Sequence, residues 1–403
     1  MFALTQEDKE LVLPLAGRDP LGVLPVWQHR ARDVVPHLTA ASRHAAGFQV
    51  LLTALAWWPQ FQGKYQRPPT QITQYFLLME QAFARATRLM GQAWPLPGNR
   101  RLNSAASGVW IGLSKDAQLL DSPLANGVWG LYRGPTISAG LINEDNTVNE
   151  AMAGRVPVES SFMQDLFPSI DKLLKAVKTD SIVIAERSNH HLVKALSALV
   201  TKPPLRDRLK HIFLEKTAIT RAIAPLARDF DFARGTGALV AEAMKALPEY
   251  RDTFQKLQRC EHYLASLEIC FEFLCGMDDT NPAVAADALH RFLESLRKLR
   301  AEFVLSGAYT GLAKTRMDAL AAIDLTQADL FVKTLVDYHK TLSVARGNES
   351  WIDLDASGKL DIRRHLAPTD LDSFEPAQAW RNSYYLDALG TLTAQVAPRM
   401  KQA

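Results

Sequence analysis

Cysteine is scarce in this sequence, and its scarcity argues against one class of protein. Only three cysteines occur in 403 residues, an odd and low number that does not fit a secreted, disulfide-stapled fold. Cys260, Cys270 and Cys275 all lie in one stretch with helical periodicity, where free cysteine usually acts as a small core residue. We therefore expect a core that needs no disulfides.

Long apolar runs are also missing. The most apolar early run, residues 48–58, is shorter than the roughly 20 residues that a membrane-spanning helix needs. The first residues, MFALTQEDKELVLPLAG, are acidic where a secretory signal peptide is positively charged. We therefore expect a cytoplasmic protein with no membrane partner.

Common catalytic and cofactor signatures are absent from the sequence. There is no Walker Lys-Ser/Thr motif and no Gly-x-Ser-x-Gly elbow. Gly235-Thr236-Gly237 lacks the third glycine of a dinucleotide-binding loop. We expect no cofactor, and no residue is predicted to be catalytic. This favours a non-enzymatic role but leaves open an active site assembled from scattered polar residues.

One Asp-rich stretch imitates part of a calcium loop. Asp353, Asp355, Ser357 and Gly358 match its early positions, but Arg364 stands where the last ligand should be a glutamate. The neighbouring residues alternate like strands, so a hairpin turn is the favoured interpretation. His190-His191 and Cys260-x-His262 also lack zinc spacing, and we expect no metal site.

The composition is that of a folded protein, with 47% hydrophobic and 22% charged residues. Helical periodicity dominates, so the predicted fold class is mainly α and multi-helical, with small β-hairpins and an outline that resembles winged-helix units. Changes in texture suggest three domains. These are an N-terminal helical domain with a Gly-rich hairpin region (1–150), a central helical domain (151–325) and a C-terminal helix-hairpin-helix region (326–403).

Several elements can be predicted individually. They are a helix over residues 48–58 that Pro59 ends, strands at 128–132 and 136–139 joined by Arg133-Gly134-Pro135, a strand or helix end at 181–185, a helix over 249–275 with a buried apolar stripe, a helix beginning at Asn281-Pro282, a hairpin over 351–362 and a final helix over 376–396.

A basic segment, residues 187–221, is the clearest candidate site. It holds eight lysines and arginines against two acidic residues, an excess of six positive charges, although the whole chain carries only +3. Such a cluster can neutralise phosphates of a nucleic acid. It can equally be a solvated helical face whose charges are balanced by neighbours in the fold. From it we select Arg206, Arg208, Lys210 and Lys216 as candidate nucleic-acid-binding residues.

Two hairpins add further candidates. A helix pair followed by a hairpin with a basic tip resembles a winged-helix unit, whose wing arginine can enter a minor groove. Arg133 is at the tip of the predicted 128–139 hairpin, and Arg363 and Arg364 follow the 351–362 hairpin. The same outline is common in protein-interaction modules, so either use remains open.

Four short islands carry a resemblance to a group of proteins. They are Asp19-Pro20-Leu21-Gly22 with Trp27, Gly47-Phe48, Gly130 to Pro135, and His339 with Arg346-Gly347 and Trp351. In these islands the chain resembles uncharacterised proteins encoded in bacterial anti-phage defence clusters, beside motor ATPases or nucleases. The resemblance implies only this genetic context. Our first hypothesis is a non-catalytic subunit of a bacterial DNA-processing or defence complex that contacts DNA, a partner protein such as a motor ATPase or nuclease, or both. A stand-alone interaction adaptor and an enzyme are the alternatives.

Overall fold

A computed structural model describes residues 19–102, 108–149, 162–176, 180–185, 190–202 and 204–398. The chain forms two compact units, and each is built from two separate stretches of sequence. The first unit comprises residues 1–34 and 231–384, and the second comprises residues 35–230 and 385–403. The predicted division into three consecutive domains rests on changes in sequence texture rather than on contacts, and it stays a prediction.

The fold is mainly α with two small antiparallel sheets of two strands each, as the helical periodicity predicts. In the described residues, no helix combines the length and the apolar character that crossing a bilayer would require.

Seven helices and one hairpin form the described part of the first unit. The helices are Leu24–Ala31, Thr236–Ala246, Arg251–Cys275, Pro282–His290, Leu293–Val304, Gly311–Ala321 and Ala328–Ala345, and the hairpin strands are Ile352–Leu354 and Leu360–Ile362.

The helix Arg251–Cys275 is the centre of this unit. Six members of its predicted apolar stripe are fully buried: Phe254, Leu257, Leu264, Leu267, Phe271 and Leu274. The first predicted member, Tyr250, precedes the helix and is half-buried. All three cysteines lie on this helix as free, buried side chains. Asn281 caps the following helix by accepting a hydrogen bond from the Ala283 N–H. The sequence therefore predicted this part of the core correctly.

A buried histidine joins two of the sequence islands. The Nδ1 of His339 lies 2.8 Å from the Pro20 carbonyl oxygen, and its Nε2 accepts a hydrogen bond from the Trp351 N–H at 2.9 Å. Arg346 donates to the Asp19 carbonyl at 2.6 Å. The first and last islands thus form one structural network, which holds residues 19–20 against the start of the hairpin.

The predicted final helix over 376–396 is wrong in its first half. Residues Pro376–Gln378 form a single 3-10 turn, and the α-helix runs only from Leu386 to Val396. The buried carboxylate of Glu261 explains the difference. It accepts hydrogen bonds from the backbone N–H groups of Arg381 and Asn382 and from the Tyr384 hydroxyl. These bonds draw the backbone N–H groups of residues 381–382 away from a helix.

The second unit is also helical. Its described helices are Ala45–Tyr65, Ile72–Leu89, Asn99–Leu102, Pro123–Asn126, Val128–Ser138, Phe167–Lys175, His191–Thr201, Arg206–Lys210, Ala218–Asp229 and Leu386–Val396. The second unit also contains two π-helical turns, Phe162–Leu166 and His211–Glu215. Strand Val109–Gly112 pairs antiparallel with strand Ser181–Ala185, so residues 181–185 form a strand rather than a helix end.

The predicted hairpin over 128–139 is wrong, because Val128–Ser138 is a helix. Gly130 and, on helix Ala45–Tyr65, Gly47 allow close packing instead of forming turns. A Cβ at Gly130 would lie 2.1 Å from the Ala125 carbonyl oxygen, and a Cβ at Gly47 would lie 2.2 Å from the Tyr132 ring. Arg133 therefore stands on a helix and not at a wing tip, and the winged-helix outline lacks its hairpin here.

Pro59 does not end its helix, contrary to the prediction. The helix runs from Ala45 to Tyr65 with Pro59 inside it. A proline removes one intrahelical hydrogen bond, and the buried faces of Trp57, Trp58 and Phe61 hold the helix together on both sides of that loss. The helix ends at Gln66, whose φ of 52° is left-handed.

The stripe on Arg251–Cys275 yields a stability prediction. Leu264 is fully buried, so Leu264→Ala should lower the free energy of unfolding by about 2–5 kcal/mol through lost transfer energy and cavity formation. Urea titration measures this. Leu305→Ala is the control, since Leu305 is 67% exposed, and it should change stability by less than about 0.5 kcal/mol. Equal effects of the two variants would contradict the burial.

A second prediction concerns pH. Glu80 is 2% exposed and accepts a hydrogen bond from the Val128 N–H at the start of helix Val128–Ser138. Burial raises its pKa from 4.5 to about 7, although the Val128 bond opposes the shift. The folded state therefore holds a proton that the unfolded state releases, so this stabilisation is complete below about pH 4.5 and is lost as pH rises through about 7.

Glu80→Gln removes this titration and keeps an acceptor for Val128. Relative to the wild type, the variant should gain roughly 1–3 kcal/mol of unfolding free energy between about pH 4.5 and pH 8. Urea unfolding of both proteins at each pH gives the comparison. Parallel stability profiles would show that Glu80 is not buried as a proton-holding acid.

Candidate nucleic-acid interface

The described part of the basic segment spans three helices of the second unit. Lys194 lies on His191–Thr201, and the short helix Arg206–Lys210 runs directly into the π-helical turn His211–Glu215. Helix Ala218–Asp229 follows, capped by the Thr217 hydroxyl. Arg187 lies outside the described residues. Wide π turns often occur at functional sites, and this one lies within the surface formed by residues 206–216.

Buried side chains fix this stretch on the unit. Leu205, Leu209 and the three residues 212–214 are buried. The Leu205 N–H donates to the Gln49 side chain at 3.2 Å, and the Phe213 ring packs 4.4 Å from the Phe48 ring. Helix Ala45–Tyr65 thus holds both the start of the basic helix and the turn after it.

A crevice of about 240 Å³ opens beside the π turn. One wall consists of Gly140, Leu141 and Asn149, and the other carries Arg208, His211 and Lys216. Among its described lining residues none is acidic. We call this the basic crevice. The positive charge of Lys216, after burial itself, contributes to lowering the pKa of the nearby His37.

The loop wall of the basic crevice is fixed by its own contacts. The Arg133 Nε donates to Asn146 at 2.6 Å, and its terminal nitrogen donates to the Glu144 carbonyl at 2.6 Å. Ile142 and Val148 form an antiparallel bridge. Arg133 therefore holds the loop 139–149 in place. The sequence does not reveal this role, because the two partners lie 13 and 11 positions away along the chain.

A second crevice, of about 590 Å³, lies on the other side of the basic helix. Lys202 and Arg206 line it together with Ala45 and Ala46, the first residues of helix Ala45–Tyr65. The start of a helix carries partial positive charge, so it adds to the two cations. Its described lining again includes no carboxylate.

Not every cation of the segment lines a crevice. Lys210 pairs with Glu215 at 3.0 Å, and this hydrogen bond is the main cause that lowers the pKa of Glu215. Lys194 and Arg221 are exposed and line neither of the two crevices. The segment is thus divided into cations that face a crevice, one that is paired and others on open surface.

Arg363 and Arg364 belong to the first unit, whereas the basic segment belongs to the second. Arg363 pairs with Asp361 at 2.9 Å and with Asp353 at 3.6 Å, and Arg364 stacks 3.9 Å above the Trp351 ring. These contacts give both residues, like Arg133, a structural role. A role for the three arginines in binding nucleic acid stays a prediction.

The Asp-rich stretch forms the turn of the 352–362 hairpin. The Asp355 carboxylate accepts hydrogen bonds from the Ser357 N–H and the Lys359 N–H at 2.8 and 2.9 Å. Asp353 pairs with Lys340 at 2.8 Å. Within the described ranges, no group of three or more His, Cys, Asp or Glu side chains is arranged to hold a metal ion.

Several side chains that could take part in chemistry are shielded by burial. Burial raises the pKa of each cysteine thiol to about 12, so none is a ready nucleophile at neutral pH. Burial, and next the neighbouring Glu261, raise the pKa of Glu268 to about 8. Glu268 lines neither of the two crevices described above.

Comparison with known proteins identifies no family for this chain. No protein-family model, no curated protein and no solved structure matches the chain.

The turn chemistry of the hairpin generates a prediction about metals. Incubation with EDTA should leave the circular dichroism spectrum and the melting temperature unchanged, since the Asp353 and Asp355 oxygens are engaged by protein donors and no site is coupled to folding. Elemental analysis of the purified protein is the second measurement. Stoichiometric calcium or zinc, or a melting temperature lowered by EDTA, would contradict the assignment.

Proposed function

We propose that this chain is a non-catalytic subunit of a bacterial DNA-processing or anti-phage defence complex, and that it contacts DNA through the basic segment. One observation carries the proposal. Both crevices that border the helix Arg206–Lys210 are lined by cations of that segment, and no acidic residue occurs among their described lining residues.

Charge pairing separates this surface from an ordinary solvated face. Arg208, Lys216 and Lys202 form no ion pair with a described residue, whereas Lys210 is paired with Glu215. Arg206 donates through Nε to the Val396 carbonyl at 3.3 Å, a neutral partner that leaves its charge uncompensated. Uncompensated cations on a fixed backbone suit phosphate contacts, which contribute most of the non-specific affinity for DNA.

The context of a larger complex rests on the four sequence islands and their resemblance to proteins of defence clusters. A motor ATPase or a nuclease is the kind of partner that this resemblance implies. Such a partner would supply the catalysis, which agrees with the structural use of the cysteines and of Glu261 in this chain.

Salt-dependent binding to duplex DNA tests the proposal. Fluorescence anisotropy at several salt concentrations should show binding that weakens steeply as salt rises, with about −0.9 in the log–log slope for each phosphate contact. The triple variant Arg206→Ala/Arg208→Ala/Lys216→Ala should flatten the slope by roughly two to three units if each residue makes one contact.

The control is Lys194→Ala/Arg221→Ala, which removes two exposed cations of the same segment that line neither crevice. It should change the slope by less than the triple variant, and melting curves of all proteins confirm that they are folded. Equal flattening by the control, or no binding by the wild type at low salt, would refute the assigned DNA surface.

A further inference from the structure

The basic crevice differs from the rest of the basic segment in its shape. Its volume of about 240 Å³ is below the ~300–1,000 Å³ of pockets that enclose drug-sized ligands. Its polar lining includes Arg208, His211 and Lys216 on one wall and Asn149 on the other. These dimensions and groups suit a small anion rather than a base or a peptide side chain.

One donor in this wall is left without a partner. The Arg208 Nε is buried, and no hydrogen-bond acceptor reaches it from the described part of the chain. A buried donor on a charged group costs stability when it is unsatisfied, and such groups in native proteins call for an explanation such as a bound ion. A guanidinium presents its N–H groups in a fork that matches the oxygens of phosphate.

The two walls are also held in place before any ligand binds. Phe48 lies between them, with its ring 4.4 Å from Phe213 and 5.0 Å from Tyr132. Tyr132 is on helix Val128–Ser138, which leads into the loop wall, and Phe213 is in the π turn that leads out of the cationic wall. A site with fixed walls loses little free energy to ordering on binding.

The charges near the crevice favour an anion. Two acidic residues adjoin the cationic wall in sequence. Glu215 is engaged by Lys210 at 3.0 Å and His211 at 3.4 Å, and Asp207, next to Arg208, is exposed. On the loop side, the Asp145 carboxylate accepts from the Thr147 N–H and hydroxyl at 2.9 and 2.7 Å. None of these three acids is a lining residue of the crevice.

We infer that the basic crevice is a binding site for a single phosphate group, with Arg208 as its main ligand and Lys216 as its second cation. The inference deepens the proposed function and rests on it only for the source of the phosphate, which is then the DNA backbone. A free phosphate or phosphomonoester offers the same oxygens, and the experiment separates the two sources.

Inorganic phosphate is the probe, titrated by calorimetry into the full chain against sodium chloride of equal ionic strength. The wild type should bind it. Arg208→Lys keeps the charge but lacks the Nε–H, so it should bind about tenfold more weakly or worse, as expected for a lost charge-assisted hydrogen bond. Lys216→Gln, on an exposed residue, tests the same site without touching a part-buried side chain. Lys194→Gln is the matched control and should bind like the wild type.

Competition with labelled duplex DNA decides the source. Displacement of DNA by inorganic phosphate beyond the effect of matched chloride supports a backbone phosphate in the crevice. Phosphate binding that needs Arg208, without any DNA binding, supports a free phosphate and ends the proposed function. DNA binding that depends on the crevice cations, with no binding of inorganic phosphate, overturns this inference and leaves the proposed function intact. Unchanged affinity in both Arg208→Lys and Lys216→Gln also overturns it.

Discussion

The second unit depends on three consecutive residues at the start of helix Ala45–Tyr65. Gly47 lets the Tyr132 ring approach to a distance that any side chain would forbid. Phe48 packs between Tyr132 and Phe213, and Gln49 accepts the Leu205 N–H while donating to Thr53. Through these contacts one helix fixes the loop wall and the cationic wall of the basic crevice together, so the geometry of the site is a property of the core.

The same constraint explains why the charge of the basic segment is not distributed uniformly. The helix Arg206–Lys210 is anchored by buried Leu205 and Leu209, which turns alternate cations toward opposite sides. Arg206 faces one crevice and Arg208 the other, while Lys210 reaches Glu215. Exposed ion pairs contribute little to stability, so the fold would gain little from pairing these cations. The unpaired cations are therefore better explained by a ligand that they could bind than by a role in stability.

Sequence reasoning succeeded where the signal was local, in one long periodic helix and in one short alternating hairpin. The stripe on Arg251–Cys275 and the hairpin strands of residues 352–362 follow from local patterns, and the structure has both. It failed where a distant group competes with the local signal. Gly130 and Pro135 indicate a turn, yet both lie inside helix Val128–Ser138, where Gly130 packs against Ala125. Residues 379–385 have no helix, since Glu261, more than a hundred positions away, takes the N–H groups of Arg381 and Asn382.

The candidate site was found only in part from the sequence for the same reason. Counting charges selects Arg206, Arg208, Lys210 and Lys216, but it cannot separate the cation that is paired from those that line a crevice. The opposite wall, residues 139–149, has no basic character and was predicted to follow a hairpin. Its contribution depends on the Gly47–Tyr132 contact, which is a tertiary interaction between segments about eighty-five positions apart.

The central claim is that the core of this unit builds a site for a phosphate-like anion at Arg208. A crystal structure of the protein soaked in tungstate tests it most directly, since tungsten scatters anomalously and has the tetrahedral oxygens of phosphate. The account predicts an anomalous peak between the loop 139–149 and the π turn His211–Glu215, with an oxygen within hydrogen-bond distance of the Arg208 Nε. A peak only elsewhere on the surface, or an Arg208 Nε bonded to a protein carbonyl, would contradict it.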